Sequence, residues 1–580
     1  MESIRSAHAP PRTMRDQELK SERRLAAALG VIAKVKPELA ARLGVVTDAS
    51  HLVLEGGAGG DGRVRRVWRG APLDLSAHGA QVVARGVIGE RGTWFGAGDG
   101  RALDAALTRG ERFVLWESDP ALVRLVMSRF DWAQHLSSGA LELCLGADLA
   151  VLARRRPSGA YVIDVATAHM RAPERRLFEN GAARPVALIV EGRLLTGGIA
   201  AALDRRGIDA YQLDIEHLSK DELDRAVEVL RPSFAFAIND TNGLAEWTAA
   251  HGLPLCVWEI DPTTDTPREL ERGAPLAHLF TYRAAHVAGY ERAGWSGVEH
   301  LPLAADPKAR KRRHLFGPQR LQYTSDVAFV GASMARQARV LLARFMTRLG
   351  ELRGSDTRAL AADARALEQV LGEQGRDLDH YLVPQLLEEH MGEVLDLWRA
   401  SGDPERPEAL IGELAASQRR AAVVGALSGH GIDVWGDEGW KELLAALGDA
   451  GERVRFRGPA GNRDQIEFVY SGATVNLDVG RLYQNDIVTL RVFDVLACSG
   501  LCLTEHNDEV ARLFDVGEEL DTWRNLHELV RKVEKYVDDP SRAAAIGARG
   551  RRAIEERHAL DLRLDHMLAR VLPQRMARAA

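Results

Sequence analysis

At 580 residues the chain exceeds what one hydrophobic core supports and points to roughly three to four domains of ordinary size. A formal net charge of −6 argues against a nucleic-acid partner held by a diffuse positive field, and 46% hydrophobic with 27% charged residues is a globular balance. No apolar run is long enough for a membrane span and no apolar leader opens the chain, so a cytoplasmic protein is expected.

Residues 1–25 carry Pro10-Pro11 and scattered charges and are expected to form a flexible tail running into a helix. A strand-then-helix rhythm then repeats three times, which predicts an α/β chain of doubly wound units. The first, over 26–182, has strand candidates at 92–95, 112–116, 141–145 and 160–163. The second, over 183–325, has them at 185–190, 234–238 and 255–258. The third, over 326–580, opens on Asp326-Val327-Ala328-Phe329-Val330-Gly331 and resumes its strand rhythm at 432–436. Between about 336 and 420 long Leu/Ala/Glu/Arg helical patterns predict a helical insertion, expected to bear on acceptor choice or assembly rather than on donor binding. Strands without polar alternation are covered on both faces, and such sheets bind ligands at the carboxyl ends of their strands.

Cys144, Cys256, Cys498 and Cys502 lack zinc-ligand spacing and read as reduced thiols. The basic run Arg310-Lys311-Arg312-Arg313 reads as a solvated loop. Asp437-Glu438 and Asp538-Asp539 read as solvated turns, and no Asp-x-Asp metal motif stands at a fitting position.

The segment 481–500 carries the most chemistry. Asn485 or Asp486 is placed to cap a helix and Gly500 to end it in a left-handed conformation. That helix is apolar nearly all round except for a narrow stripe of Arg491, Asp494 and Cys498. A buried charge requires a partner or a ligand. Either Arg491 and Asp494 pair with each other at i, i+3, or Asp494 accepts from a ribose diol while Arg491 meets phosphate. Asp486, eight residues before Asp494, lies two helical turns away and would reach the sugar end of the same ligand.

The run from Val475-Asn476-Leu477 through this helix to Leu503-Thr504-Glu505-His506, then Glu509–Phe514, Gly517-Glu518-Glu519 and Glu556-Arg557-His558, resembles the C-terminal part of CgeB-like, spore-maturation-type glycosyltransferases. Upstream, Asp326–Ser333 with Arg336 resembles the first strand and loop of their donor domain. Trp258–Pro262, Ala285-His286-Val287 and Leu301–Pro307 resemble their acceptor domain and interdomain crossing. The likeness covers roughly 184–335 and 422–580. It implies a GT-B fold, two facing Rossmann-like domains, here preceded by an additional N-terminal Rossmann-like domain. It further implies a family-1/4-like donor domain that takes a nucleotide sugar, expected to be a UDP-sugar, and passes its sugar to a glycan or protein acceptor. The donor-binding residues so implied are Gly331, Ser333, Arg336, Asp486, Arg491, Asp494, Thr504 and Glu505, with both acids Asp where many relatives have Glu. GT-B enzymes generally stabilise the leaving diphosphate with helix N-termini and cationic side chains, so no metal or other cofactor is expected. A catalytic base, if one acts, is expected among Glu259, Asp261 and His286.

The first unit holds Gly96-Ala97-Gly98-Asp99-Gly100 between a strand and a helix, and a second strand ends at Glu117, nineteen residues after Gly98. The arrangement is that of nucleotide-type Rossmann loops and resembles the S-adenosylmethionine site of class I methyltransferases, with Asp148 and Asp164 on later strands. The alternative is a degenerate Rossmann module with a tight turn. Residues 90–150 are also broadly similar to the N-terminal domains of flagellin-modifying glycosyltransferases. Two rival functions follow: a bifunctional methyltransferase–glycosyltransferase, and a non-catalytic nucleotide-sugar-binding scaffold. Metal independence is directly measurable: sugar transfer is expected to survive EDTA, and a loss of turnover restored by magnesium or manganese would overturn it.

Overall fold

The computed structural model describes residues 12–45, 49–55, 62–68, 71–192, 194–261, 268–270, 274–403, 405–460 and 463–572. The chain divides into two compact units, one of residues 1–281, 286–299 and 564–580, the other of residues 282–285 and 300–563.

In the first unit a helix, Arg12–Val35, starts inside the segment expected to be a tail. Leu25, Ala28, Leu29 and Ile32 fall on one of its faces, and Ala28 and Ile32 are buried in the core. A small antiparallel sheet follows: β1 (Leu52–Glu55), β2 (Arg63–Trp68) and β3 (Ala71–Asp74). The next sheet comprises β4 (Ala80–Ala84), β5 (Gly92–Phe95), β6 (Phe113–Glu117), β7 (Leu141–Leu145) and β8 (Tyr161–Asp164). Its order is β4-β8-β5-β6-β7, with only β4 antiparallel to its neighbour.

The third sheet of this unit has six strands: β9 (Val186–Val190), β10 (Asp209–Leu213), β11 (Phe234–Ile238), β12 (Leu255–Glu259), β13 (Ala274–Thr281) and β14 (Trp295–His300). They are ordered β10-β9-β11-β12-β13-β14. Strands β6, β9, β10 and β12 are buried at every position, which is why their sequences lack polar alternation. Sequence patterning misses β10 because Asp209-Ala210-Tyr211-Gln212-Leu213 contains two polar residues. Both are buried and bonded: Asn180 Nδ2 donates to Asp209 at 2.8 Å, and the Gln212 amide N–H donates to Glu174 at 2.6 Å.

These two large sheets share one hydrophobic core. Trp116 and Leu149 of the first meet Leu188, Tyr211 and Leu230 of the second in a single buried cluster. Arg42 completes the joint by holding Glu222 and Asp148 together, at 2.5 Å to each.

The second unit is built on an all-parallel sheet of β15 (Ser325–Val330), β16 (Ile432–Trp435), β17 (Arg455–Gly458), β18 (Ala473–Leu477), β19 (Cys502–Glu505) and β20 (Asp521–Trp523). The order is β17-β16-β15-β18-β19-β20. Four helices, Ala335–Arg353, Thr357–Arg376, Val383–Ala400 and Pro407–Ala426, stand between β15 and β16 with a core of their own around Phe345, Leu387 and Trp398.

The segment 300–325, expected to close the preceding domain, belongs to this unit instead. Tyr323 stacks between Trp435 and Phe468, with ring centroids 5.6 and 5.4 Å away, and Arg313 donates to the buried Glu467 at 2.6 Å. The final helix, Leu560–Val571, starts in the second unit and belongs to the first from Leu564 on.

The shared core of the first unit makes a measurable claim. Leu188→Ala in β9 should cost about 2–5 kcal/mol. It should also speed amide exchange in β6 together with β9, since both line one cluster. Faster exchange confined to the six-stranded sheet would show that the sheets open separately.

Candidate functional site

Parallel α/β sheets take ligands at the carboxyl ends of their strands, where the strand order reverses. In the second unit that point lies between β15 and β18. The loop after β15 is Gly331-Ala332-Ser333-Met334 and the loop after β18 is Asp478-Val479-Gly480.

Both loops are gripped by Arg420, from the helix Pro407–Ala426. Its guanidinium donates to the Ala332 carbonyl at 2.6 Å and the Val479 carbonyl at 3.2 Å. Glu413, Ser417 and Arg420, spaced i, i+4, i+7, form a buried polar face on this helix. Glu413 accepts from Tyr483 at 2.6 Å and pairs with Arg481 at 3.1 Å, and Ser417 donates to the Ser333 carbonyl at 2.9 Å.

Arg420 itself has no carboxylate partner among the described residues, and its buried Nε has no hydrogen-bond partner. Burial, then the charges of Arg491 and Arg481, push its guanidinium down to about 9. The remaining charges nearby are matched: Arg491 pairs with Asp478 and Arg419 with Glu505. An uncompensated buried cation at a strand reversal is a ready receptor for an anion such as a diphosphate.

The sequence-derived residues take definite places around this cation. Arg491 donates to the Val330 carbonyl at 2.6 Å and lies over the Phe329 ring at 5.2 Å, besides pairing with the buried Asp478. Asp478 also accepts from Thr489 at 2.9 Å and from Thr504 at 2.8 Å. A side chain at Gly331 would stand 2.8 Å from Arg491 Nη2, so this glycine makes room for the guanidinium. Ser333 is fully buried, its amide and hydroxyl donating to Asp437 at 2.7 and 2.6 Å. Burial raises the Asp437 carboxyl, but the Ser333 and Gly439 donors outweigh it and hold it below the ordinary range. Asp437, read as a solvated turn, therefore fixes the loop after β15. Arg336 is exposed in the first turn of the helix Ala335–Arg353. Glu505 accepts from the Gly480 amide at 3.2 Å as well as from Arg419, and burial pushes its carboxyl up.

Asp494 and Arg491 are neighbours on one helix but do not pair with each other. Asp494 is held in a fork by Arg310, at 3.0 and 2.9 Å, and Asp486 by Arg283, at 3.3 and 2.8 Å. The basic run expected to be a solvated loop thus supplies Arg310 to Asp494 and Arg313 to Glu467.

The two aspartates are not on one helical face either: the helix is Leu490–Ala497, and Asp486 lies in the loop before it. Ile487 and Val488 of that loop are buried, and Asn507 donates to the Ile487 carbonyl at 2.8 Å. The β-branched run Ile487-Val488-Thr489 also disfavours an earlier helix start. At the other end Ser499, with φ 59, takes the left-handed position expected of Gly500. A Cβ on Gly500 would stand 2.6 Å from Asn476 Nδ2 and 2.7 Å from the Tyr470 carbonyl, so Gly500 is there for close approach.

In the first unit, Glu259 at the end of β12 is buried and saturated. Tyr290 donates to it at 2.6 Å, His286 Nδ1 lies 3.3 Å away, and Thr281 also donates. Burial raises its carboxyl, but these donors together bring it below the usual value. His286 is buried and oriented by Glu259 through one ring nitrogen, while Asp261 is exposed with its amide on Asn239 at 3.2 Å.

In the glycine-rich loop, Gly96, Gly98 and Gly100 all have positive φ and are buried. Glu117, at the end of β6, is fully buried and accepts from the amides of Ala97, Ser118 and Asp119 at 2.9, 2.7 and 3.1 Å. A Cβ on Gly98 would stand 2.3 Å from Asp164, whose carboxyl is raised to about 7 by burial and by Glu117 and Asp99. Asp148 is paired with Arg42 and Arg225. The four cysteines carry no disulfide. Among the described residues no group of three or more His, Cys, Asp or Glu is arranged to hold a metal ion, and no helix is long and apolar enough to cross a membrane.

A family described as glycosyl transferase-like matches residues 407–569, a span that starts with the helix carrying Arg420. No curated protein matches the chain. Among solved structures, a glycosyltransferase from Rickettsia africae aligns at 8% identity and TM-score 0.40, covering 67% of this chain and 98% of its own. The Anabaena HepE structure in complex with UDP-glucose aligns at 9% and 0.36, covering 83% and 99%. A sucrose-phosphate synthase from Thermosynechococcus elongatus aligns at 11% and 0.41, covering 68% and 100%.

The unmatched Arg420 predicts an inverse response of stability and binding. Arg420→Met removes a buried charge and should leave the ligand-free melting midpoint unchanged or raised, while abolishing the stabilisation given by UDP or inorganic pyrophosphate. A lower midpoint with ligand stabilisation retained would make Arg420 a structural residue.

Proposed function

We propose that the chain is a glycosyltransferase that takes a sugar from a nucleotide-sugar donor, with the diphosphate received at the β15/β18 reversal of the second unit. The observation that carries this reading is Arg420, a buried guanidinium without a carboxylate, held by the carbonyls that follow β15 and β18. The glycosyl transferase-like match over 407–569 includes it.

In this reading a bond forms between an acceptor oxygen and the anomeric carbon while the bond from that carbon to the diphosphate breaks. Arg420, with Arg491 beside it, stabilises the charge growing on the leaving diphosphate without a metal ion. The amide end of the helix Ala335–Arg353 and the exposed Arg336 add to the same field. Asp494 accepts from the ribose hydroxyls: each carboxylate oxygen keeps a lone pair beyond the one Arg310 uses. Asp486 stands toward the sugar, and Thr504 and Glu505 fix the loop beneath it. The donor is a UDP-sugar and the acceptor a glycan or protein.

Of the three base candidates His286 is the favoured one, because Glu259 holds one ring nitrogen and so orients the ring for proton transfer through the other. Glu259, already bonded to three side chains, is a positioning residue. The Gly96–Gly100 loop and Glu117 serve as internal supports of the N-terminal sheet, because Glu117's oxygens are taken by the chain's own amides.

Thermal-shift measurements of the purified chain against UDP-, GDP-, CMP- and dTDP-sugars and S-adenosylmethionine test the reading. One nucleotide sugar should raise the midpoint, and Asp494→Ala should weaken it at least tenfold, since losing a charged hydrogen-bond partner costs about 1.5–3 kcal/mol. A shift with S-adenosylmethionine alone, or a folded Asp494→Ala chain of unchanged affinity, would sink it.

A further inference from the structure

The six-stranded sheet of the first unit has its own reversal, between β9 and β11, and a cavity of about 800 Å³ opens there. That volume is within the range of small-molecule sites. Loops after β9, β10 and β11 form one side, and the small antiparallel sheet supplies His51 and Arg66 to the other. None of the residues assigned above to the donor or the base lines it.

Its polar groups are linked in a chain. Asp119 accepts from His51 Nε2 at 2.7 Å and lies 3.3 Å from Arg66, which lies 3.3 Å from Asp214 on its other side. Asp214 in turn holds His217 Nδ1 at 2.8 Å, and the two imidazoles meet with ring centroids 4.0 Å apart. Two groups in this chain are left over. His51 Nδ1 and Arg66 Nε are buried, on residues each 3% exposed, and have no hydrogen-bond partner among the described residues. An arginine Nε–H is always a donor and requires an oxygen.

The cations, by contrast, are matched: Arg66 sits between two aspartates and Lys220 pairs with Asp224, while Arg171 lies 3.0 Å from Glu191. The exposed Glu216 in the lining has no ion pair among the described residues. The cavity therefore requires oxygens but has no spare cation for an anionic ligand. Apolar side chains also line it, among them Trp247, whose Nε1 donates to Asp224 at 2.8 Å. An indole fixed by its own hydrogen bond in the same lining as a row of hydrogen-bonding side chains suits a molecule with one C–H face and an edge of hydroxyls.

We propose that this cavity binds an uncharged saccharide, with Arg66, His51 and His217 toward its hydroxyls and Trp247 against its ring. The binding of a neutral sugar here does not rest on the transferase reading.

The test uses the full chain on an array of immobilised neutral, uronic-acid-containing and sialylated oligosaccharides. The variants are Trp247→Ala, which removes the ring, and Asn242→Trp, which fills the mouth from an exposed loop position without removing any partner. UDP thermal shift on the same preparations reports on fold and on the donor site. The expected result is retention on neutral glycans that falls at least tenfold in both variants while the UDP shift persists. Loss of the UDP shift in the wild-type chain, with glycan retention still sensitive to both variants, would sink the transferase reading and keep the saccharide site. No retention on any neutral glycan, retention confined to charged glycans, or retention indifferent to both variants would overturn the proposal.

Discussion

Removing a guanidinium from water without giving it a carboxylate is costly, and the second unit does this at Arg420. Much of its architecture is arranged around that penalty. The helix Pro407–Ala426 delivers the charge, two strand-end carbonyls accept from it, and Asp478 neutralises the neighbouring Arg491 so that only one excess charge remains. The hydroxyls of Thr489 and Thr504, from two further segments, donate to Asp478 and hold it in place.

The same logic governs the two aspartates. Left alone, Asp486 and Asp494 would be two uncompensated carboxylates. Each is instead forked by an arginine from the 282–310 region, Arg283 and Arg310, so the site carries its acids neutralised. This explains why 300–325 belongs with the second unit: besides Arg310 it brings Arg313 to Glu467 and Tyr323 into a stack with Trp435 and Phe468.

In the first unit the governing constraint is hydrophobic. The faces of the five- and six-stranded sheets close a common cluster, and the ion pairs of Arg42 secure its edge. The glycine-rich turn after β5 is drawn into this packing. Its positive-φ glycines admit Asp164 and Thr167 at distances no Cβ allows, and Glu117 is occupied by backbone amides. The cavity at β9/β11 lies where the same unit brings its small sheet against the larger one's strand ends.

The α/β class, strands β5 to β9, β11, β12, β15 and β16, and the charged stripe of Arg491 and Asp494 on an otherwise apolar helix were legible in the sequence. Buried parallel strands write themselves as uninterrupted apolar runs, and a charged pair on an apolar helix stands out locally. The polar strand β10 was not legible, because the partners of its buried Asp209 and Gln212 lie outside the strand, on the helix Ala172–Glu179 and its cap Asn180. Nor was Arg420: Glu413, Ser417 and Arg420 repeat at i, i+4, i+7, but polar residues at that helical spacing read as a solvated face. The local Arg491–Asp494 pair and the solvated basic run failed for one reason, partners distant in sequence. The sequence alone determined the apolar strands and amphipathic helices, because periodicity and propensity are local. Only the tertiary structure decided which charges meet, because Arg283, Arg310 and Arg420 reach their partners from 203, 184 and 88 residues away.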